Sequence, residues 1–263
     1  MPAQPMLLTV ESTRRVTPNM QRLVLKGEDL AGFSSDNDGD YVKLMFHPDG
    51  RPVTESELSG RPLMRTYTVR SFDAEHQTID VDFALHGDSG SDHQAGVASH
   101  WAEFARPGEQ IRVGGPGPGR GIALEADWYL LAGDMTAIPA LSTQLASLPD
   151  DARGYAVLEI QSAEDVQHLD APSGIEMVWV VQEDSESVES RFVDRVKSLA
   201  WLGGEASVWA ACEFSNMRQL RQYVRQERSV NRSKCYISSY WKNGSTEDQH
   251  KLAKREDAAK SDS

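Results

Sequence analysis

The sequence predicts two folding units, an antiparallel β-barrel over residues 1–122 and an α/β unit with a parallel sheet over residues 123–263. Three observations carry that expectation. Short alternating apolar runs recur through the first half with no helical segment among the early ones, as in a small barrel. Past residue 120, strand-like and helix-like segments alternate, as in a parallel sheet with crossover helices. Near the end of the first unit comes Gly114-Gly115-Pro116-Gly117-Pro118-Gly119, the richest Gly/Pro segment of the chain, and the domain boundary is placed just after it.

In the first unit, Leu7-Leu8-Thr9-Val10 and Met20-Gln21-Arg22-Leu23-Val24-Leu25 read as strands around the turn residues Thr17-Pro18-Asn19. Residues 27–40 form a turn-rich acidic loop. Tyr41-Val42-Lys43-Leu44-Met45-Phe46 is a strand that His47-Pro48-Asp49-Gly50 ends. Ile79, Val81, Phe83 and Leu85 share one face of a strand that starts at Thr78. A polar loop over 87–96 leads to a helix with Ser99 as its N-cap, and Ile111-Arg112-Val113 is the last barrel strand.

In the second unit, Trp128-Tyr129-Leu130-Leu131-Ala132-Gly133 is apolar throughout, like a strand buried on both faces. Further strands are expected over 155–160, 175–181, 206–211 and 234–237, with helices over 138–148, 188–200 and 216–227. From Thr246 the charged tail is helical before it frays. Ligands of parallel sheets sit at the carboxyl ends of strands, here Gly133-Asp134-Met135-Thr136, Gln161-Ser162 and Cys212-Glu213. No G-x-G-x-x-G follows any strand, which argues against an ordinary dinucleotide dehydrogenase.

The whole chain bounds the function classes. Its 263 residues, 39 % apolar and 25 % charged, suit a soluble globular protein. Two cysteines are too few for a disulfide framework and fit a reducing compartment. Neither a secretory leader nor an apolar run of roughly 20 residues is visible, so a cytoplasmic location is expected. The net charge of −13 argues against nucleic acid or an anionic membrane as partner. A monomer is the expected state.

Arg65-Thr66-Tyr67-Thr68-Val69-Arg70 joins cations, a ring and hydroxyls. The set suits a flavin dinucleotide, with cation to pyrophosphate, ring against the flavin and hydroxyl to its edge. By pattern alone it reads first as an ordinary strand, with Tyr67 and Thr68 on opposite faces. Both would reach one ligand only if it wrapped the strand's edge or end. The helix at Ser99 would aim free amides at the preceding loop, which suits a pyrophosphate or merely closes the barrel.

These segments resemble, in order, the siderophore-interacting protein family of flavoproteins. The resemblance rests on Arg65-x-Tyr67-Thr68-x-Arg70, Phe83-x-Leu85-His86-Gly87, Ala98-Ser99-x-Trp101-Ala102 and Pro107-Gly108 leading to Gly114-x-Pro116. It continues through Trp128 to Gly133-Asp134-x-Thr136-Ala137-x-Pro139-Ala140, Trp209-Ala210-Ala211-Cys212-Glu213, Tyr236-Ile237-Ser238-x-Tyr240-Trp241-Lys242-x-Gly244 and Glu247-Asp248. It implies an FAD-binding barrel and a nucleotide-binding-like α/β domain. By the same resemblance Arg65, Tyr67, Thr68 and Arg70 hold the flavin, and His86 lies at its isoalloxazine end. Ala98 and Ser99 present amides to the pyrophosphate. Asp134, Thr136 and Ala137 lie near the flavin's other end, beside the reductant. In one departure, the loop over 88–96 is longer than the family's usual link and adds Asp92 and His93.

The implied activity is reduction of ferric siderophore complexes, with electrons from NADH or a reduced ferredoxin. Many such complexes are anionic, and Lys43, Arg120 and Lys242 are the candidate cations for them, although each is by default a solvated surface charge. The segment Glu159-Ile160-Gln161-Ser162-Ala163-Glu164-Asp165 holds no cation for a 2′-phosphate, which disfavours NADPH. Three other readings compete. His86, Asp88, Asp92, His93 and His100 could build a metal-dependent hydrolase, but their spacing matches no catalytic-zinc pattern. A non-enzymatic siderophore carrier is the second, and Cys212 as a nucleophile, with no obvious histidine partner, is the third.

Overall fold

The computed structural model describes residues 4–55, 60–85, 96–182 and 191–261. The chain forms two compact units, Met1–Gly119 and Arg120–Ser263.

In the first unit β1 (Met6–Thr17) and β2 (Met20–Lys26) pair as a hairpin around Pro18 and Asn19. β1 continues well past Val10 because, after a bulge at Glu11, Thr13 to Arg15 go on pairing with Leu23 to Gln21. β3 (Tyr41–Phe46), β4 (Leu63–Thr68), β5 (Ser71–Asp73), β6 (Thr78–Ala84) and β7 (Gln110–Gly117) complete a seven-stranded antiparallel, barrel-like sheet. The order is β4-β3-β7-β1-β2-β6-β5. Much of the Gly/Pro segment is strand. β7 runs to Gly117, which pairs with Tyr41 of β3.

The alternation in β6 does what it predicts. Ile79, Val81 and Phe83 are sealed in the core, while Asp80, half-buried, and Asp82, buried, alternate with them and pair with Arg22 across the sheet. Helix α1 (Val97–Phe104) sets the Trp101 ring against Phe46 and Phe83, with centroids 5.7 and 6.1 Å away. The acidic loop over 27–40 is tied down by two short 3-10 turns, Glu28–Gly32 and Ser35–Asn37.

In the second unit β8 (Trp128–Gly133), β9 (Arg153–Ile160), β10 (Gly174–Val181), β11 (Ala206–Glu213) and β12 (Cys235–Trp241) form a parallel sheet in the order β10-β9-β8-β11-β12. β8 and β11 are buried almost end to end, as apolar central strands require. Helix α2 (Ile138–Ala146) follows β8. α3 (Arg191–Ser198) and α4 (Phe214–Gln222) pack on the sheet through Phe192, Val196, Met217 and Leu220. The expected start of α3 at Val188 lies outside the described residues. α4 starts at Phe214, before the expected Asn216, because the Glu213 carboxylate caps the amides of Ser215 and Asn216. Its last turn is a π-turn, Tyr223–Glu227.

β12 extends four residues past the expected Ile237, and the tail beyond it is helical as anticipated, α5 (Glu247–Ser261). His250 of α5 meets the Ser239 hydroxyl at 2.7 Å, and Lys254 Nζ donates to Ser238 Oγ and Ser239 O at 2.9 Å each. Asp257 anchors the helix to Arg221 and Arg218. Among the described residues no helix is long and apolar enough to cross a membrane.

Candidate functional site

The first unit offers a strand and a helix start. In β4, Arg65, Thr66, Tyr67 and Thr68 pair in turn with Leu44, Lys43, Val42 and Tyr41 of β3. The strand reading is therefore correct. Tyr67 is only half-buried, with its ring 4.3 Å from that of Phe83, while Thr68 is buried. Arg65, also half-buried, donates from Nη1 to the Met64 carbonyl. Arg70 stands apart from this group. Burial pulls its guanidinium pKa down, Arg22 adds to that, and Asp82, Asp38 and Asp80 partly offset it. Its surroundings are thus the carboxylates Asp38, Asp80 and Asp82.

Helix α1 starts at Gly96, which takes the N-cap position expected of Ser99. The glycine accommodates the turn into the helix without a side chain, and the Ser99 hydroxyl folds back on the Gly96 carbonyl at 3.4 Å. The first intrahelical bond runs from His100 N to Gly96 O at 2.9 Å. The amides of Val97, Ala98 and Ser99 therefore have no intrahelical acceptor, which is the feature an anionic group needs. The turn that ends β3 comes close to the helix start. Gly50 holds φ +87°, and a Cβ there would come within 3.0 Å of Val97 Cγ2. His86, Asp88, Asp92 and His93 lie outside the described residues. His100 is exposed with its ring stacked near Phe104, and among the described residues no three His, Cys, Asp or Glu could hold a metal.

The second unit gathers carboxylates at the carboxyl edge of its sheet. Asp134 ends β8, 5 % exposed, and is fully engaged. Its Oδ1 accepts from Thr136 N at 3.0 Å and Thr136 Oγ1 at 2.5 Å, and its Oδ2 accepts from Glu213 N and Trp241 Nε1 at 2.8 Å each. Burial pushes its pKa up and these bonds pull it back. Ala137 N closes the same turn on Asp134 O and leads into α2. So Asp134, Thr136 and Ala137 do form one cluster.

Sequence reasoning missed the partners. Glu159, near the end of β9, is pushed up to about 7 by burial and by the neighbouring Asp134 and Glu213. Its place one residue before the strand end was the available signal. Asp165 is wholly buried, and its carboxylate caps the Ser162 amide. Of the acids in 159–165, Glu159 is therefore the one grouped with the sheet-edge carboxylates. Cys212 is sealed at 0 % exposure, and burial raises its thiol well above the usual range, opposite to what a nucleophile requires.

The three candidate substrate cations belong to both units. Lys43 of β3 sits 5.7 Å from the Tyr41 ring centroid. Arg120 is exposed, with its carbonyl fixed by the buried Trp209 indole at 2.8 Å. Lys242 follows β12, 5.2 Å from the Phe214 ring centroid.

Comparison with known proteins covers both units. A sequence model described as a siderophore-interacting FAD-binding domain matches residues 9–120, and one described as siderophore-interacting protein matches residues 126–244. The chain is 37 % identical over 270 residues to an uncharacterized protein of Mycobacterium tuberculosis, covering 94 % of this chain and 93 % of that one. It is 30 % identical over 256 residues to the ferric vibriobactin reductase of Vibrio cholerae, covering 94 % and 92 %. It is also 30 % identical over 220 residues to the NADPH-dependent ferric-chelate reductase of Escherichia coli, covering 76 % and 82 %. The solved siderophore-interacting protein of Aeromonas hydrophila superposes with a TM-score of 0.82 at 33 % identity, over 97 % of this chain and 98 % of that one.

Proposed function

The chain belongs to the siderophore-interacting protein family, and from that premise we propose that it is an FAD-dependent reductase of ferric siderophore complexes. One observation carries the reading. The unit matched as an FAD-binding domain presents a half-buried tyrosine ring and a cation on β4, and a helix start with free amides.

These residues fit FAD. The dinucleotide carries a pyrophosphate and a broad aromatic ring, and the donor set supplies a partner of the right kind for each. Arg65 and the amides at Val97, Ala98 and Ser99 would hold the anionic part, and Tyr67 and Thr68 would hold the flavin. Arg70, set among Asp38, Asp80 and Asp82, would support the strand end next to the site rather than meet the pyrophosphate directly. When bound, FAD accepts a hydride and releases electrons singly. The substrate is the ferric complex. One electron lowers the charge of the iron, and hard oxygen ligands then hold it less tightly. No side chain of this chain need touch the metal. Lys43, Arg120 and Lys242 would supply local positive charge against a net −13 when an anionic chelate approaches.

NADH or a reduced ferredoxin is the proposed donor, and release of Fe(II) in the cytoplasm by a monomer the proposed outcome. Asp165 is buried and capped within its own turn, so the exposed Glu164 and the ionised fraction of Glu159 are what would repel a 2′-phosphate and support NADH over NADPH, even though the Escherichia coli relative is named for NADPH. Stopped-flow mixing with each nicotinamide should reduce the flavin faster with NADH. Faster reduction by NADPH would reverse that preference.

An absorbance spectrum of the gently purified protein tests the whole reading. It should be yellow, bleach with reductant and recover on adding a ferric siderophore, with Fe(II) trapped by a ferrous chelator. A colourless protein that takes up no FAD would refute it, and colour that never recovers would mark a carrier.

A further inference from the structure

We propose that Asp134 and Glu213 are positioning residues that hold the segment 241–243 from both sides and so set Lys242 for the anionic substrate. This inference rests on the reading of Lys242 as a substrate cation.

The tether begins in the sheet. β11 and β12 run in register from Val208↔Cys235 to Cys212↔Ser239, and the register then slips so that Glu213 faces Trp241. Such an irregularity re-aims the residues that follow it. On one side of Lys242, the Trp241 indole donates to Asp134 Oδ2 at 2.8 Å. On the other side, the Asn243 amide donates to Glu213 Oε1 at 3.2 Å. The two residues are themselves joined, because the Glu213 backbone amide donates to the same Asp134 Oδ2 at 2.8 Å. The second oxygen of Glu213 caps α4, so this support is fixed to a helix as well as to the sheet. Lys242 lies between the two anchored residues with its ammonium over the ring of Phe214, the first residue of α4. A turn bond from Ser245 N to Lys242 O at 3.1 Å closes the segment.

Two features separate this arrangement from ordinary packing. Asp134 is committed on both oxygens to groups of its own unit, which leaves it to act through its neighbours. Lys242, by contrast, makes no ion pair among the described residues although Asp134, Glu159 and Glu213 cluster nearby. The acids bind the backbone and indole around the lysine and leave its ammonium, over the Phe214 ring, without an ion pair among the described residues. A long side chain held this way loses less freedom when it meets an anion.

The test uses the FAD-loaded protein and a ferric tris-catecholate as the anionic probe. Trp241→Phe removes one bond and keeps the ring. Asp134→Asn is the second variant, should the first fold poorly. Trp241→Phe should raise KM about 5- to 10-fold with kcat unchanged, as expected for uniform loss of substrate binding. Lys242→Ala should raise it at least as much. The double variant should be no worse than Lys242→Ala alone, since the indole bond acts only through the lysine. Hydrogen exchange at the Asn243 amide should quicken in Trp241→Phe. Additive effects on KM, or unchanged exchange, would overturn the positioning role and leave the substrate reading intact. A Lys242→Ala variant with unchanged KM would instead sink the substrate reading of Lys242, and this inference with it.

Discussion

The ring of Tyr67 rests on that of Phe83, with centroids 4.3 Å apart and planes inclined at 40°. Phe83 is wholly buried and Tyr67 is not, so one ring is braced by the core while the other keeps part of its surface exposed. Tyr67→Phe keeps that surface and should retain FAD. Tyr67→Ala removes the ring and its aromatic pair, worth about 0.5–1.5 kcal/mol beyond area. FAD affinity, read by flavin fluorescence, should fall about tenfold or more on removal of such a stacking surface. Equal affinities of the Ala and Phe variants would exclude Tyr67 from the flavin site.

The candidate cations give a separate prediction. Replacing Lys43, Arg120 and Lys242 together with Ala should raise KM for an anionic ferric siderophore by about 10- to 100-fold and flatten its salt dependence. Flavin content should not change. None of the three makes an ion pair among the described residues, so the protein should remain folded. An unchanged KM would reject these residues as the substrate's attraction.

Gly154 tests the close approach of β8 and β9. It holds φ +142°, and a Cβ there would fall 1.9 Å from the Tyr129 carbonyl oxygen. That atom is backbone in a buried strand and has nowhere to move. Gly154→Ala should cost more than about 4 kcal/mol or leave no soluble protein. Gly32→Ala, where a Cβ meets nothing within 4 Å, should stay within about 0.5 kcal/mol. Similar melting of the two variants would contradict the strand register.

What was legible in the sequence was local. The apolar run at Trp128–Gly133 and the alternation at Ile79, Val81 and Phe83 reveal their burial, because period and composition are properties of neighbours in the chain. The misses are long-range. Asp134 could be singled out from its own turn, but its partner Trp241 is 107 residues away. β12 looks too polar beyond Ile237 to be a strand, yet Ser238 and Ser239 are partnered by Lys254 and His250 of a helix that follows. The last barrel strand reads as ending at Val113 because only the fold brings Tyr41 opposite Gly117. Ser99 was the better N-cap by residue type, but Gly96 occupies the place where the chain turns.

Two titrating groups in the second unit should oppose each other in the stability of the protein against pH. Glu159 is raised from an ordinary 4.5 to about 7, so the folded state holds its proton more tightly than the unfolded state. Its contribution is greatest below pH 4.5 and is lost as pH rises toward 7. His250 runs the other way. Burial first, then Lys254 and Lys242, lower it from 6.5 to about 4 against the pull of Glu247 and Glu213. Its contribution is complete above pH 6.5 and is lost as pH falls toward 4. Between these limits the slopes cancel in part. Glu159→Gln should therefore match the parent near pH 4 and exceed it above pH 7, by about 1–3 kcal/mol once solvent screening is allowed for. His250→Gln should show its greatest relative gain at the acid end. Unfolding midpoints measured from pH 4 to 8 give both difference curves, and a Glu159→Gln curve parallel to the parent's would remove the carboxylate cluster from the account.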